Sequence, residues 1–476
     1  MKILRAGSRM GATSASRILL FMFITGLLHA GEWLRFRGPN GSGVSETTGL
    51  PAEFGASKNL VWKIQVPFGR SSPVVAGDRV FLTASEGDKL ITLSLDRKTG
   101  KTLWRREVLR TRHMPIYKGN DPASPTPVSD GKNVYAFFAE LGLISYTPDG
   151  KERWRLPLGP FNSFYGLGAS PILAGDTLLM VCDQRTNSFL IAVNAADGRV
   201  RWKVSRANPV EAFSTPVIYK REGGTSQVLV FGSHALDAYA VDTGERLWWV
   251  GQVGYFAKGV PVVGRDAVYV SAPGSDQPEM PPFQEQLKKY DTNRDGVIQL
   301  DEMKSEPYIT EHFGWVDSDG SGSVDEREFN VIRLAAGAGH GLTAIRPGGK
   351  GDVTGSNVLW RLKKGYPNIP APLLYKDVLY LVKTGGIITA LNPANGEVLK
   401  AGRTESAMEE YFSSPVAADD KVFLVSESGK VTVLKAGANW EILAVNDLDE
   451  DCWATPAVAD GRIYIRTRSS LYCFGR

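Results

Sequence analysis

Residues 170–202 read SPILAGDTLLMVCDQRTNSFLIAVNAADGRVRW, and this stretch decides the fold. Three apolar runs, ILA, LLMVC and FLIAVN, are separated by turn residues, and an Asp197-Gly198 turn precedes a last short segment that carries Trp202. Short apolar runs joined by tight turns are typical of antiparallel strands. The stretch therefore predicts one self-contained sheet of four strands.

The same pattern recurs along nearly the whole chain. A Gly-x-x-x-Trp signature returns every 46 to 50 residues, at Gly100/Trp104, Gly150/Trp154, Gly198/Trp202 and Gly244/Trp248. Dipeptides that end in proline open eight units, at Ser72-Pro73, Ser124-Pro125, Ser170-Pro171, Thr215-Pro216, Val260-Pro261, Ala371-Pro372, Ser414-Pro415 and Thr455-Pro456. A repeat of this length with four strands per unit predicts an all-β fold, an eight-bladed β-propeller spanning residues 31–476.

The last unit lacks one strand. Its sequence stops at residue 476, just after a third strand, whereas the missing Trp-bearing strand is present early in the chain as LVWKIQV, residues 60–66. A closed ring leaves no exposed sheet edge. We therefore expect this N-terminal strand to complete the last blade.

The fifth unit is too long. From Pro261 to Ala344 there are 83 residues, where the corresponding interval from Pro171 to Ala192 is 21. The excess predicts an insertion of about residues 274–339 between the second and third strands of blade five. From residue 277 to residue 333 the chain has thirteen acidic and six basic residues, and its apolar residues take helical spacing. The insertion is therefore predicted to be a small α-helical domain.

Two stretches of the insertion, DTNRDGVIQLDE at residues 291–302 and DSDGSGSVDERE at residues 317–328, match the twelve-residue EF-hand calcium loop. We call them loop 1 and loop 2. Carboxylate, amide, hydroxyl and backbone carbonyl oxygens at alternate positions can wrap one Ca²⁺ ion each. The predicted ligands are Asp291, Asn293, Asp295, Val297, Gln299 and Glu302 in loop 1, and Asp317, Asp319, Ser321, Ser323, Asp325 and Glu328 in loop 2.

The residues around the loops agree with a paired EF-hand. Ile298 and Val324 occupy the eighth loop positions, where two such loops exchange a short strand contact. Apolar stripes predict one entering helix before each loop, at Phe283, Leu287 and Tyr290 and at Ile309, Phe313 and Val316. Extracellular modules stay filled at affinities of ~10⁻⁴ to 10⁻³ M. We therefore favour a structural role for the two ions over a sensor role.

The N-terminus predicts export. Four basic residues and no acid occur in residues 1–30, which also hold the apolar run ILLFMFITGLL, residues 18–28, and end in Ala30. This pattern is typical of a cleaved secretory signal, with an uncleaved anchor as the alternative. The remainder carries 51 basic and 51 acidic residues and therefore gives no support for nucleic-acid binding. We expect a periplasmic or extracellular monomer without a membrane span in the mature chain.

Aromatic residues at the entries of the inner strands are the other candidate site. If they ring the propeller mouth they could bind a protein or a glycan, and packing between blades is the alternative. They are Tyr165, Phe213, Phe256, Tyr366, Phe412 and Trp453. Of the three cysteines, Cys182 is expected in the core, and a disulfide between Cys452 and Cys473 is left open.

The repeat motif resembles the pyrroloquinoline-quinone-type (PQQ-type) propeller repeat. It occurs here as LSLDRKTGKTLW, IAVNAADGRVRW and AYAVDTGERLW. That repeat is shared by quinoprotein alcohol dehydrogenases and BamB-like outer-membrane assembly factors. WLRFRGPNGSG before such blades, with EF-hands inserted, is similar to exported propeller proteins of planctomycete-type bacteria. The resemblance implies a fold and a compartment. Quinoprotein dehydrogenases carry an adjacent Cys-Cys disulfide over the cofactor, which this sequence lacks, so PQQ is not expected.

We therefore hypothesise an exported calcium-binding propeller that acts as a binding or scaffold protein rather than an enzyme. The alternatives are a PQQ-dependent oxidoreductase and a carbohydrate-binding or carbohydrate-acting propeller.

Overall fold

The computed structural model describes residues 31–476 apart from residues 115, 118, 207–210, 222, 275–279, 306–309, 311–312, 315 and 405. The predicted signal peptide, residues 1–30, lies outside the described residues. Eight antiparallel sheets follow one another along the chain and form the eight blades of a β-propeller, as predicted. No helix among the described residues has the length and apolar character needed to cross a membrane.

Each of the first four blades is an uninterrupted meander. Blade 1 contains β2 (Val74–Ala76), β3 (Arg79–Glu86), β4 (Lys89–Asp96) and β5 (Thr102–Leu109), and blade 2 contains β6 (Val128–Ser129), β7 (Val134–Phe138), β8 (Gly142–Tyr146) and β9 (Glu152–Pro157). Blade 3 contains β10 (Ile172–Ala174), β11 (Thr177–Cys182), β12 (Phe189–Asn194) and β13 (Val200–Ser205), and blade 4 contains β14 (Val217–Lys220), β15 (Ser226–Phe231), β16 (Ala235–Ala240) and β17 (Arg246–Gly251).

The later blades hold the two irregularities of the ring. Blade 5 contains β18 (Val262–Val263), β19 (Val268–Ala272), β22 (Gly341–Ile345) and β24 (Val358–Leu362), and β23 (Gly351–Asp352) crosses over to pair with β17 of blade 4. Blade 6 contains β25 (Leu373–Tyr375), β26 (Val378–Lys383), β27 (Ile387–Leu391) and β28 (Val398–Arg403), and blade 7 contains β29 (Val416–Ala418), β30 (Lys421–Val425), β31 (Lys430–Lys435) and β32 (Glu441–Asp447). Blade 8 contains β33 (Ala457–Ala459), β34 (Arg462–Arg466), β35 (Ser470–Gly475) and β1 (Leu60–Gln65).

The N-terminal strand closes the ring, as predicted. Strand β1 pairs antiparallel with β35, with Ile64 opposite Leu471 and Gln65 opposite Ser470. Because β35 is thereby paired on both sides, the last blade has no open edge where the chain ends.

A line of hydroxyl groups links the entries of the innermost strands. The backbone N–H before a blade-opening proline donates to the hydroxyl at the same position of the next blade, at 2.9 to 3.0 Å, from Ser72 to Thr126, Thr126 to Ser170, Ser170 to Thr215, Ala371 to Ser414, Ser414 to Thr455 and Thr455 to Ser72. Val260 and Ala371 have no hydroxyl, so this linkage is absent on both sides of blade 5. The bonds also correct one prediction: blade 2 opens at Thr126-Pro127 and not at Ser124-Pro125.

The Gly-x-x-x-Trp signature joins neighbouring blades. Each Trp lies against the signature glycine of the following blade, in the pairs Trp62/Gly100, Trp104/Gly150, Trp154/Gly198, Trp202/Gly244 and Trp360/Gly396. The indole N–H groups donate to backbone carbonyls of the same turns at 2.7 to 3.1 Å. These glycines have φ between +75° and +81°, so the turn and the indole both require glycine. In blade 6, Lys400 replaces the Trp and its Nζ lies 4.6 Å from the ring centre of Trp440.

Residues 33–47 cross one end of the central channel, an arrangement that no pattern in the sequence predicts. They form hydrogen bonds to the innermost strands or adjoining turns of six blades, through Trp33 to Val75, Leu34 to Ser129, Asn40 to Ile218, Arg37 to Pro372, Gly43 to Ala417 and Thr47 to Gly461. Pro39–Gly41 is a short 3₁₀ turn in this segment. We call it the plug segment.

The cysteines are structural. Cys182, Cys452 and Cys473 are buried and free, so the disulfide left open by the sequence is not formed. Burial raises the pKa of Cys452 to about 12 and that of Cys473 to about 11. Thiols in such surroundings are poor nucleophiles at neutral pH.

Candidate metal centre and propeller mouth

The EF-hand pair lies between β19 and β22. Helix α1 (Phe283–Tyr290) leads into loop 1, and helix α2 (Glu326–Gly337) follows from the end of loop 2. A further short helix, α3 (Thr354–Asn357), lies in blade 5 after the insertion. Helical residues also occur at positions 310, 313, 314 and 316. Among the residues predicted to form the two stripes, Phe283, Tyr290, Phe313 and Val316 are buried in one apolar cluster with Leu287 packed against it, and Ile309 lies outside the described residues.

The two loops are joined by the predicted strand contact. Strand β20 (Ile298–Gln299) pairs antiparallel with β21 (Ser323–Val324), with Ile298 opposite Val324. Both apolar side chains are buried in the small core of the insertion. The two loops therefore form one unit.

Loop 1 folds around its first and last carboxylates. Asp291 accepts backbone N–H groups from Arg294 at 2.6 Å and from Gly296 at 3.0 Å. Glu302 accepts the N–H groups of Thr292 at 2.8 Å and Gln299 at 2.9 Å. Gly296 has φ +87°, the left-handed conformation that the sharp turn of such a loop needs. Hydrogen bonding to the charged form lowers the pKa of Glu302 despite partial desolvation.

Loop 2 brings three carboxylates together. Oxygen atoms of Asp317, Asp319 and Glu328 all lie within 4.8 Å of one another. Glu328 is 2 % exposed and accepts the N–H of Ser318 at 2.6 Å, and Asp317 accepts the N–H groups of Gly320 and Gly322 at 2.8 and 2.9 Å. Oxygens that ligate one Ca²⁺ at ~2.3–2.6 Å lie at most about 5 Å apart. The donor set and its spacing therefore fit one such ion.

Blade 3 holds loop 2 directly. Asn162 Nδ2, in the connection before blade 3, donates to the carbonyl oxygen of Ser318 at 2.7 Å. Arg185 Nη2, in the loop between β11 and β12, donates to the carbonyl oxygens of Gly314 at 3.0 Å and Asp317 at 3.3 Å. Asp317 and Ser318 are the first two positions of loop 2. The insertion therefore leaves blade 5 and rests on blade 3, two blades away.

Sequence reasoning predicted the loop residues but missed Asn162 and Arg185. Both donate to backbone carbonyls from a position more than 120 residues away in the chain. A single polar side chain that binds a distant carbonyl leaves no periodic signal in the sequence.

The predicted mouth aromatics divide into groups instead of forming one ring. Tyr165 contacts Phe213 and Phe256 edge-on, with ring centres 5.9 and 5.8 Å apart. Two further aromatics extend this group outward, Phe164 at 5.0 Å and Tyr117 at 5.4 Å from Tyr165, and they are 48 % and 45 % exposed. An exposed aromatic surface of this kind is typical of a site for a partner molecule.

A second aromatic group surrounds a cation. Arg70 lies 4.4 Å from the ring centre of Trp453, which Phe68 meets edge-on at 6.0 Å, and the indole N–H of Trp453 donates to Glu427 at 3.3 Å. Tyr366 instead pairs with His340, at 5.8 Å. Phe412, the sixth predicted residue, is partly exposed and follows the buried Tyr411 in the chain.

Two ionisable groups near the mouth are shifted by burial. Burial raises the pKa of Glu211, whose carboxylate accepts the N–H of Phe164. Burial also lowers the pKa of Lys258 to about 8, and its ammonium donates to Asn368 at 3.1 Å. Lys258 lies three residues before the opening proline of blade 5, the position that Arg70 holds in blade 1. The mouth therefore carries a cation at this position in blade 1 and another in blade 5.

Two family models match the chain. One, described as "Outer membrane protein assembly factor BamB", matches residues 45–165, 94–276 and 350–476, which together make up most of the sequence. The other, described as "EF hand", matches residues 283–305, the stretch that contains loop 1. No curated protein sequence matches the chain. Between the matched segments of the propeller family, residues 277–349 of the chain are unmatched, and this gap contains most of the insertion.

Solved structures share the fold at low sequence identity. BamB from Moraxella catarrhalis superposes with a TM-score of 0.52 at 13 % identity, over 87 % of this chain and 98 % of that one. Quinohemoprotein alcohol dehydrogenase from Comamonas testosteroni superposes with a TM-score of 0.60 at 12 % identity, over 94 % and 80 %. A europium-containing methanol dehydrogenase gives 0.51 at 11 %, over 94 % and 99 %. At these identities the likeness is one of fold, and the planctomycete-type grouping stays a prediction.

Proposed function

Because the chain belongs to the propeller family whose model is described as outer membrane protein assembly factor BamB, we propose that it is an exported, calcium-binding propeller that acts as a binding or scaffold protein. The observation that carries the proposal is loop 2, in which three carboxylates converge on one point while blade 3 holds the loop. Calcium would be the resident ion of both loops.

The twelve predicted oxygen donors are the proposed ligands. In loop 2, Asp317, Asp319 and Glu328 would supply the charge, with Ser321, Asp325 and the carbonyl of Ser323 completing the shell. In loop 1, the first and last proposed ligands, Asp291 and Glu302, accept backbone N–H groups of Arg294 and Thr292. These hydrogen bonds keep the loop curved around the proposed site. Hard oxygen ligands in this number suit Ca²⁺ better than Mg²⁺, which requires near-octahedral geometry.

We propose a structural role for the ion in loop 2. Without a cation, three carboxylates this close repel one another, and the carbonyls that Asn162 and Arg185 bind would lose their fixed positions. With Ca²⁺ bound, loop 2 is rigid, and its carbonyl oxygens stay in position to accept hydrogen bonds from Asn162 and Arg185. Calcium would thereby fasten blade 5, which lacks the hydroxyl linkage on both sides, to blade 3.

The proposed binding surface is the mouth. The exposed rings of Phe164 and Tyr117, the cation of Arg70 against Trp453 and the amine of Lys258 offer apolar, cationic and hydrogen-bonding contacts. Aromatic and arginine side chains of this kind dominate protein interfaces and also stack on sugar rings. A protein or glycan partner fits this composition, and a glycan array separates the two.

The calcium proposal is tested by calorimetric titration of the full chain after chelation. We expect two Ca²⁺ ions per chain in the wild type and none in the double variant Glu302→Gln/Glu328→Gln. Glu326→Gln, an exposed acid in α2 outside the predicted ligand positions, is the matched control and should titrate like the wild type. Two ions retained by the double variant would overturn the ligand assignment.

The structural role has its own test. Arg185→Ala should weaken calcium binding at loop 2 by several-fold and leave loop 1 unchanged, because the hydrogen bonds from Asn162 and Arg185 to the described part of the insertion reach Gly314, Asp317 and Ser318 and none reaches loop 1. If both affinities stay the same while calcium still binds, the ions do not fasten the insertion to the propeller.

Binding is favoured over quinone-dependent oxidation because no two cysteines are adjacent in the sequence. Addition of pyrroloquinoline quinone and calcium, followed by absorption spectroscopy and a dye-reduction assay, decides between them. A bound chromophore together with dye reduction would refute the scaffold proposal and support a PQQ-dependent oxidoreductase.

A further inference from the structure

An open groove of about 980 Å³ lies at the end of the propeller opposite the EF-hand insertion. Its walls are the turns between the first and second strands of blades 3, 4 and 5, at residues 174–177, at residues 220, 221 and 226, and at residues 263–265. The insertion follows a second strand, and consecutive turns of a meander lie at opposite ends of a sheet. The volume is at the upper end of the range of small-molecule sites, about 300–1,000 Å³, so the groove can hold more than a single ion.

A buried arginine lines the inner end of this groove. Arg35, in the plug segment, is 6 % exposed, and its Nη2 donates to the carbonyl oxygen of Pro216 at 2.6 Å. Its Nε finds no hydrogen-bond partner within the described part of the chain. The only cause acting on its pKa is burial, which lowers it to about 9, so no described carboxylate compensates the charge.

An uncompensated buried guanidinium is costly. It has five N–H donors, and burying a charge without a counter-charge and hydrogen bonds is strongly unfavourable. Arg37 is also a buried arginine, 0 % exposed, and its Nη2 donates to the carbonyl oxygen of Pro372 at 2.9 Å. Arg37 does not line the groove, whereas Arg35 does. A ligand that enters the groove can therefore reach Arg35.

The rim of the groove is also cationic. Lys220, Arg221 and Arg265 are exposed there. Of the other charged groups lining the groove, Arg201 and Asp176 neutralise each other in an ion pair of 2.5 Å, which leaves Asp242 as the remaining acid. The groove thus concentrates positive charge in a chain whose mature part is neutral.

We propose that this groove binds a small anionic ligand bearing carboxylate or phosphate groups, with Arg35 as the deep counter-charge and Arg221 and Arg265 at the entrance. Guanidinium groups suit both chemistries because their N–H donors match two oxygens at once. The ligand would also fix the plug segment, since Arg35 belongs to it. The site is independent of calcium and of the mouth.

The test uses the full chain and two probes at constant ionic strength, sulfate for tetrahedral oxyanions and succinate for dicarboxylates, titrated by calorimetry against chloride as the blank. We expect saturable binding of at least one probe and a rise in melting temperature with its concentration. Binding of sulfate alone would indicate a phosphate-like ligand, and binding of succinate alone a carboxylate ligand. Binding of neither probe would overturn the proposal.

Variants assign the binding to the groove. Arg221→Glu/Arg265→Glu changes exposed side chains only and should weaken binding at least tenfold. Arg468→Glu, an exposed arginine at the insertion end of blade 8 with a side chain 66 % exposed, is the control and should bind like the wild type. Arg35→Gln should abolish binding if it folds. Unchanged affinity in the Arg221→Glu/Arg265→Glu variant would refute the site, even with Arg35→Gln unfolded.

Discussion

Replacement of Gly198 by alanine tests whether the Trp–Gly contact holds neighbouring blades together. Gly198 has φ +76°, and a Cβ there would lie 2.7 Å from Cδ2 of Trp154, which belongs to the preceding blade. Gly175, in the same blade, has φ +62° and nothing within 4 Å of the same added atom. Gly175→Ala therefore carries the backbone cost alone, and Gly198→Ala carries that cost together with displacement of the indole.

The expected magnitudes differ enough to measure. A left-handed alanine costs about 1–2 kcal/mol, which is the whole expected effect of Gly175→Ala. Overpacking a filled site adds about 1–3 kcal/mol, so Gly198→Ala should cost about 2–5 kcal/mol. Trp154→Ala should cost about 3–5 kcal/mol, because the side chain is 8 % exposed and also donates to the carbonyl of Ala195. In the Trp154→Ala background, Gly198→Ala should cost only the backbone part.

The assay is guanidinium unfolding followed by circular dichroism, with the free energy of unfolding extrapolated to water. The double-mutant cycle of Gly198→Ala and Trp154→Ala should give a coupling of about 1–3 kcal/mol. Equal destabilisation by Gly198→Ala and Gly175→Ala, or a coupling near zero, would refute the idea that this contact ties blade to blade.

Three further perturbations follow from the structure. Burial lowers the pKa of His234 to about 4, so between pH 6.5 and pH 4 the unfolded chain binds a proton at this residue while the folded chain does not. The free energy of unfolding should therefore fall as the pH is lowered through this range. Unfolding titrations at pH 7 and pH 4 should show that His234→Asn reduces this loss by about 3 kcal/mol. Deletion of the chain up to and including β1 (Leu60–Gln65) should leave one edge of β35 unpaired and produce soluble aggregates in size-exclusion chromatography, and a monodisperse monomer would contradict the closure argument. Arg206→Met should cost about 3–5 kcal/mol in chemical unfolding, because Asp183, 2.6 Å from its guanidinium, would be left buried without a counter-charge, whereas Asp237, 3.1 Å away, would keep its ion pair with Arg246; an effect below 1 kcal/mol would show that Asp183 is protonated or hydrated.

The sequence was most informative where the structure depends on neighbouring residues. Each blade is a meander with short turns, so its strands are visible as apolar runs, and counting them predicted eight blades. The EF-hand loops were visible for the same reason, because all proposed ligands of one ion lie within twelve residues. The length of blade 5 then located the insertion, because the regular units set the expected length.

Register and long-range contacts were harder to predict. The stretch SPTP at residues 124–127 contains two equivalent dipeptides, and only the hydrogen bond from Ser72 to Thr126 shows which one opens blade 2. The aromatics predicted to ring the mouth all lie three to six residues before the opening proline of a blade, yet the loops around them place Tyr165 with Phe213 and turn Tyr366 toward His340. Loop conformation depends on contacts that the repeat does not encode.

The sequence by itself determined the number of blades, the strand that closes the ring and the two twelve-residue loops. Tertiary structure alone decided that residues 33–47 cross the channel, that Asn162 and Arg185 hold loop 2, and that Arg35 lines a groove with no hydrogen-bond partner for its Nε among the described residues. The physical reason is the range of the interactions. Strands, turns and metal loops are set by residues close in the chain and so recur as patterns, whereas a buried cation or a side chain bound to a distant carbonyl depends on which blades the closed ring brings together.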